Sequence, residues 1–262
     1  MRFCPLYSGS SGNALLILAE GAAYLVDAGF PGSTVTAAMA QVGVKPEQLR
    51  GILVTHEHSD HVKGVGVLAR RYKLPVYANA GTWRGMIPIT GEIPPSQVRV
   101  FETGRDFFLG GLRVLPFKTA HDANEPVGFV FRCGGAQLAT LTDSGHVDEH
   151  MLDALAGSGL ILLEANHDVD MLKASAYPYP LKKRILGDHG HLSNDACGAA
   201  LCALYNRGVR RAVLGHLSGE NNFESLAMET VRAALRDAGI PDEAFALSIA
   251  HRDKIGELYE IE

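Results

Sequence analysis

Directly after the apolar run 51–54 (GILV), the seven residues Thr55-His56-Glu57-His58-Ser59-Asp60-His61 hold three histidines and two carboxylates. That concentration of metal-philic groups restricts the fold: a strand has to end here, and distant parts of the chain have to return to the same place. Along an extended segment alternate side chains point the same way, so His56 and His58 project together and can share one ion. Asp60 and His61 fall at the turn into the next helix and face elsewhere, towards a second ion. Imidazole nitrogen and carboxylate oxygen suit zinc, manganese or iron rather than calcium. A histidine-rich surface loop is the competing reading. Two ions ~3.5–4 Å apart need a bridging anion and further ligands from elsewhere. His121 after "VLPFKTA", Asp143 after "AQLATLT" and His216 after "RRAVLG" each follow an apolar run that reads as a strand.

The rest of the pattern supplies such strands. "ALLILA" and "AAYLVDAG" read as paired strands, "STVTAAMAQVG" as a helix ended by Gly43, "HVKGVGVLARRY" as a helix, and "PVYA" as a strand. Between Val98 and Leu141, "VRVF", "DFFLG", "LRVLPFKTA", "VGFVFRC" and "AQLATLTD" read as a β-meander. Beyond Asp143 strands and helices alternate again. No low-complexity linker divides the 262 residues. The expectation is one domain over residues 1–262, with sheets carrying helices on their outer faces.

Composition bounds the partners. A net charge of −5 does not advertise a polyanion partner, so a nucleic acid has to be held by a local basic strip or by metal ions. Cys4, Cys133, Cys197 and Cys202 form no C-x-x-C pair, which points to reduced thiols in the cytoplasm. The N-terminal stretch lacks a signal-peptide core, and no apolar run is long enough to cross a bilayer, so no membrane partner is expected. Nothing in the sequence sets an oligomeric state.

H-x-H-x-D-H after a strand, with a later His, Asp and His, resembles the metallo-β-lactamase fold of metal-dependent hydrolases. The resemblance implies an α/β protein, an αββα sandwich of two mixed β-sheets flanked by helices. It implies that His56, His58 and His121 hold one ion, that Asp60, His61 and His216 hold the other, and that Asp143 bridges them. It also makes Asp27 in "LVDAG" a support for the metal loop. "LLEAN" (162–166) and "GHLSNDACGAAL" (190–201) are similar to elements of ribonuclease Z-like phosphodiesterases, in which a Glu orients a His that assists proton transfer to the leaving group. Here these are Glu164 and His191. The chemistry fits: a metal-activated hydroxide attacks phosphorus, and the departing alkoxide needs a nearby acid. The competing reading leaves His191 exposed beside a helix capped by Ser193.

"YSGSSGN", "THEHSDHVKGVGVLARRYKLPVYANAGTW", "TDSG", "EANHDVDML", "YPYPLKKRILGDHGHLSN" and "HLSGENN" resemble the YycJ/WalJ-type nucleases. That implies a 5′-to-3′ exonuclease acting on DNA with two divalent ions (zinc or manganese, or iron), linked to DNA mismatch repair. The resemblance runs from Tyr7 to about Asn222. His189 departs from it and stays outside the expected site, and Asn166-His167-Asp168 has no role assigned by chemistry. Only eighteen residues separate His191 from Arg210, too few for the large clamp of ribonuclease J-type enzymes.

For substrate contacts, Lys182, Lys183 and Arg184 form a basic cluster just before His191, to which Lys173, Arg70 and Arg71 add. A solvated basic turn reads the same way. Trp83, Tyr177 and Tyr179 offer base stacking or plain packing. "SGSSGN" lacks the Lys and the following helix of a P-loop. It reads as a tight hairpin at the rim of the site, with Ser10 and its backbone N–H groups facing a substrate phosphate. Other readings are a glyoxalase II-like thiolester hydrolase on the same fold and a metal-stabilised interaction protein. "KTAHDANEP" around His121 is unlike the thiolester hydrolases, and open ligand sets are wasteful for pure structure. His58 stands where flavodiiron proteins place a Glu.

Overall fold

The computed structural model describes residues 1–262. Its strands are β1 (Arg2–Gly9), β2 (Gly12–Ala19), β3 (Ala22–Val26), β4 (Leu49–Leu53), β5 (Val76–Ala78), β6 (Val98–Val100), β7 (Phe107–Leu109), β8 (Leu112–Lys118), β9 (Val127–Cys133), β10 (Ala136–Leu141), β11 (Leu160–Glu164), β12 (Arg211–Gly215), β13 (Ala246–Ile249) and β14 (Tyr259–Glu260). They form two seven-stranded mixed sheets, ordered β14-β1-β2-β3-β4-β5-β6 and β13-β12-β11-β10-β9-β8-β7. The helices are α1 (Gly32–Gln41), α2 (Ser59–Val62), α3 (Val65–Tyr72), α4 (Ala80–Thr90), α5 (Glu149–Leu155), α6 (Val169–Ala174), α7 (Tyr179–Ile185), α8 (Asn194–Asn206) and α9 (Glu224–Asp237).

Strand periodicity builds the layers. On β11, Leu160 and Leu162 face the other sheet while Ile161 and Leu163 face the helices. β2 divides likewise, with Leu15 and Ile17 between the sheets and Leu16 under the helices. Strands buried on both faces read as continuous apolar runs. Three apolar clusters result. One lies between the sheets around Phe3, Phe129 and Phe131. One lies under α1, α3 and α4 around Met39, Leu68 and Met86, and one under α5, α8 and α9 around Leu155, Leu201 and Val231. This is the expected αββα sandwich.

Two local expectations need correction. "VRVF" does not belong to the meander: β6 pairs in parallel with β5 at the edge of the first sheet, and only β7 to β10 run as a meander. "HVKGVGVLARRY" is two helices, because Gly64 N–H bonds Ala28 O (2.7 Å) and a Cβ on Gly64 would lie 2.2 Å from Phe30 O. That close approach breaks the helix. The sequence also hid α4, whose composition includes Gly81, Gly85 and Pro88, residues that favour helices poorly. Its cap is clear in the structure, where Asn79 accepts from Thr82 N at 2.9 Å.

Candidate metal centre

β3 and β4 are parallel, as are β10, β11 and β12, and β8 runs in the same direction as β10 through the antiparallel β9. Their carboxyl ends therefore share one edge of the sandwich, where open α/β sheets place ligands. Asp27 follows β3, the His56–His61 stretch follows β4, and His121 follows β8. Asp143 follows β10, Glu164 ends β11, and His216 follows β12. Asp27, Asp143 and His216 adopt left-handed backbone (φ 60°, 57° and 56°), which turns each side chain back over the strand ends. Such conformations cost on the order of 1 kcal/mol each and gather at functional sites.

The seven expected ligands converge. His56 Nε2 lies 3.1 Å from His58 Nδ1, and His121 Nε2 lies 3.3 Å from the same atom. Donor atoms of His56, His58 and His121 lie within 4.8 Å of one another, and so do those of Asp60, His61 and His216. Asp143 faces both groups, with Oδ2 3.4 Å from His61 Nε2 and Oδ1 3.4 Å from His216 Nε2 in one and Oδ1 3.9 Å from His121 Nε2 in the other.

The surrounding bonds fix which nitrogens are free. A carboxylate only accepts, so His61 Nδ1 donates to Asp27 (2.8 Å) and His216 Nδ1 donates to Glu164 (2.7 Å). His121 Nδ1 donates to Gly190 O (3.0 Å). Thr55 gives its hydroxyl proton to Asp27 (2.8 Å) and so accepts from His56 Nδ1 (3.0 Å). His56, His61, His121 and His216 thus turn Nε2 to the common focus and His58 turns Nδ1, the orientation that outer partners impose on metal-binding histidines. His216 Nε2 and Asp143 Oδ2 are buried without a hydrogen-bond partner. The residues present fit divalent metal.

Electrostatics agree. Burial, then the imidazoles of His61, His121 and His58, push His56 well below the usual histidine value. Burial also opposes charge on His61, but Asp143, Asp27 and Asp60 outweigh it and raise His61 well above normal. Burial likewise opposes charge on His216, but Asp143, the nearby Asp60 and the Glu164 carboxylate bonded to its Nδ1 raise it to about 10. Burial alone would raise Asp60, yet His61 and His216 hold it far below the carboxylate range. These carboxylates are a pre-assembled cage of negative charge for cations.

Glu164 is completely buried and serves two rings at once: Oε1 accepts from His191 Nδ1 (2.8 Å) as well as from His216. Its Oε2 takes the N–H groups of Ser144 (3.0 Å) and Leu192 (3.2 Å). Despite burial, the charges and bonds of His191 and His216 hold it below the usual carboxylate range. Ser193 does cap α8, accepting from Ala196 N (3.2 Å), but His191 is half-buried against Glu164 rather than left exposed beside the cap.

Residues 23–217 match the family model described as a β-lactamase superfamily domain. The exodeoxyribonuclease YycJ of Bacillus anthracis is 40% identical over 248 residues, 94% of this chain and 94% of that protein. The exodeoxyribonuclease WalJ of Streptococcus pneumoniae is 39% identical over 91% of this chain and 90% of its own. The chain belongs to the metallo-β-lactamase superfamily, in the family of YycJ and WalJ. The metallo-β-lactamase fold protein YhfI from Bacillus subtilis shares the fold, with a TM-score of 0.73 over 98% of this chain and 99% of that one, at 15% identity.

In this metallo-β-lactamase chain a cavity of about 240 Å³ opens over the cluster, lined by His58, Asp60, His121, Asp143, His191 and His216. Ser10, Asn166, Ser218 and Gly219 form one part of its wall, and Tyr177, Leu181, Arg184 and Ile185 another. "SGSSGN" is the tip of the β1–β2 hairpin, with Gly9 opposite Gly12. The basic strip is thinner than the sequence suggests. Lys182 Nζ donates to the carbonyls of Lys173 (2.6 Å) and Ser175 (2.7 Å). Arg184 forks onto Asp122 (2.5 and 2.9 Å), and Arg70 bonds the carbonyls of Thr90 and Glu92. Lys183 is exposed without such a partner. Trp83 is buried and donates to Arg99 O (3.1 Å), so it packs, whereas Tyr179 is 78% exposed. His189 is exposed, outside the cluster.

Three residues went unread in the sequence. Thr55 couples Asp27 to His56. Asn13 brings its amide within 3.1 Å of His61 Nε2, and Asn166 ties Ser10 Oγ (3.3 Å) to His216 O (2.9 Å). Their place inside the "YSGSSGN", "THEHSDH" and "EANHD" segments was the available signal.

Proposed function

We propose that this chain is a metal-dependent phosphodiesterase, an exonuclease that degrades DNA from the 5′ end in DNA repair in the cytoplasm. The names of its relatives YycJ and WalJ, exodeoxyribonucleases matched over nearly their whole lengths, support the substrate class. The observation that carries the mechanism is the Glu164–His191 contact at 2.8 Å beside two groups of converging ligands. His56, His58 and His121 would hold one ion, Asp60, His61 and His216 the other, with Asp143 between them; zinc and manganese suit the donors, as does iron. The ions when bound supply Lewis acidity at the phosphate and lower the pKa of water enough to provide a nucleophile at neutral pH.

The chain's own groups do the rest. Glu164 holds the Nδ1 proton of His191, which leaves Nε2 to face the cavity and deliver a proton to the departing oxygen. The same carboxylate stabilises the imidazolium before transfer. Asp60, with its carboxylate ionised, orients the attacking water and contributes to its ion's shell. Ser10 at the hairpin tip and Lys183 on α7, with Lys182 and Arg184 bracing the loop and its charge, would receive the flanking backbone. No helix is long and apolar enough to cross a membrane. The 22-residue cluster shared by the two sheets supports treating residues 1–262 as one domain.

The test incubates metal-loaded protein with end-labelled duplex DNA, single strands, structured RNA, a cyclic nucleotide and a glutathione thiolester. A ladder growing from the 5′ end of the DNA is expected; turnover of the thiolester alone would replace this function with a glyoxalase II-like one. Asp143→Ala and His191→Ala should both abolish hydrolysis, with only Asp143→Ala emptying the metal site. Undiminished hydrolysis by the His191 variant would remove His191 from the mechanism.

A further inference from the structure

Arg252 lies in the C-terminal segment, beyond the residues that carry the metal motifs. Its backbone is held by the same elements that build the site: Ser8 N–H bonds His251 O (2.9 Å), Ala250 N–H bonds Leu214 O (2.8 Å), and Ser8 Oγ accepts from His216 N (2.9 Å). The side chain crosses two glycines. A Cβ on Gly9 would lie 2.5 Å from Arg252 Cγ, and a Cβ on Gly219 would lie 2.2 Å from one of its terminal nitrogens. The aliphatic stem therefore rests on the β1–β2 hairpin, and the guanidinium rests on Gly219, which lines the site cavity with Ser10 and Ser218.

Unlike Arg184, whose fork is filled by Asp122, Arg252 is exposed and has neither an ion pair nor a hydrogen bond. An unpaired guanidinium fork, braced on a surface that excludes side-chain carbon and set at the mouth of a phosphodiester site, has the chemistry of a backbone-phosphate contact. We propose that Arg252 binds a phosphate of the nucleic-acid strand at the Ser10–Gly219 part of the rim, away from α7. This rests on the nuclease function proposed above and adds the side on which the strand is gripped. The neighbouring His251 is paired with Glu224 (2.6 Å), so that acid is turned away from the arginine.

The experiment measures binding of a short fluorescein-labelled, phosphorothioate-linked DNA single strand to metal-loaded protein, by anisotropy across a salt series. Arg252→Ala should raise Kd about 5- to 10-fold and reduce the log–log salt slope by about 0.7, the loss of one single-strand phosphate contact. Arg252→Lys should recover part of the affinity. Gly219→Ala keeps the charge but displaces the guanidinium, and should raise Kd about 2- to 5-fold. Arg50→Ala, an exposed arginine bonded to Glu47 O far from the cavity, should bind as the unaltered chain does. An unchanged Kd and slope in Arg252→Ala, or an unchanged Kd in Gly219→Ala, overturns the assignment while leaving the nuclease function standing. Failure of the unaltered protein to bind the strand at all overturns both.

Discussion

Replacing Glu164 by Gln changes one atom type and tests the logic of the whole centre. Four N–H donors converge on the two carboxylate oxygens: His191 and His216 on Oε1, Ser144 and Leu192 on Oε2. An amide offers one oxygen and one NH₂, so whichever way it is turned, two of the four donors meet another donor. At ~1–3 kcal/mol for each buried donor left without an acceptor, the strain is ~2–6 kcal/mol. The two imidazoles can escape by shifting their protons to Nε2, but His216 then loses the lone pair that faces Asp60 and Asp143. Both routes damage the same metal position. Loss of an outer hydrogen-bond partner of this kind costs ~10–100-fold in metal affinity. The ion at His56, His58 and His121 should be spared, because none of those rings bonds to Glu164. The assay is elemental analysis after equilibration at graded free metal concentrations, alongside thermal melts. Glu164→Gln should retain one tightly held ion and lose the second at concentrations that saturate the parent protein. Two ions held with parental affinity would refute the claim that this carboxylate sets the tautomer of His216.

Three further outcomes are expected. Gly29→Ala places a Cβ 1.6 Å from the backbone oxygen of Asp60, and overpacking against backbone should cost ~3 kcal/mol and weaken metal binding; Gly21→Ala, with open space around it, should cost ~1 kcal/mol and leave metal binding alone, as urea unfolding and metal titration will show. His167 is buried with neither ring nitrogen bonded, and burial lowers its pKa to about 4, so the unfolded chain binds a proton that the folded one refuses between pH 6.5 and 4. Stability from this group is complete above pH 6.5 and is lost as pH falls through that window, by on the order of 3 kcal/mol. Chelator-treated protein should show that loss in urea midpoints, and His167→Phe, in which His56 still titrates, should lose less by about that amount; coincident pH curves would reject it. Removing metal with a chelator should lower Tm by roughly 5–10 °C, because an ion at ~100 times its Kd stabilises by ~2.7 kcal/mol in a domain of this size. A melt unaffected by chelator and by added zinc or manganese would contradict the cage assigned to these carboxylates.

How far the site could be read in advance depended on the range of the interactions involved. The pairing of His56 with His58 was legible because strand geometry relates residues two apart. The positions of His121, Asp143 and His216 were legible because each follows an apolar run, and parallel sheets gather such ends. The partition of basic residues was not. "LKKRIL" looks like a phosphate clamp until Asp122, sixty-two residues away, takes the fork of Arg184 and two nearby carbonyls take Lys182. The break between α2 and α3 was hidden for the same reason: Gly64 is excluded from a continuous helix by the backbone of Ala28 and Phe30, not by its neighbours.

The candidate ligands at strand ends, the strand that presents the first of them and sheets carrying helices were written into residue type and short-range periodicity, which act within a few residues. The αββα layering and the division of the ligands between ions came from the family resemblance. The sharing of Glu164 between two imidazoles, the chain from Asp27 through Thr55 to His56, and the seat of Arg252 on Gly9 and Gly219 arose only when distant segments packed. Hydrogen-bond partners and close backbone approaches across hundreds of residues are selected by the folded geometry, and no local pattern encodes them.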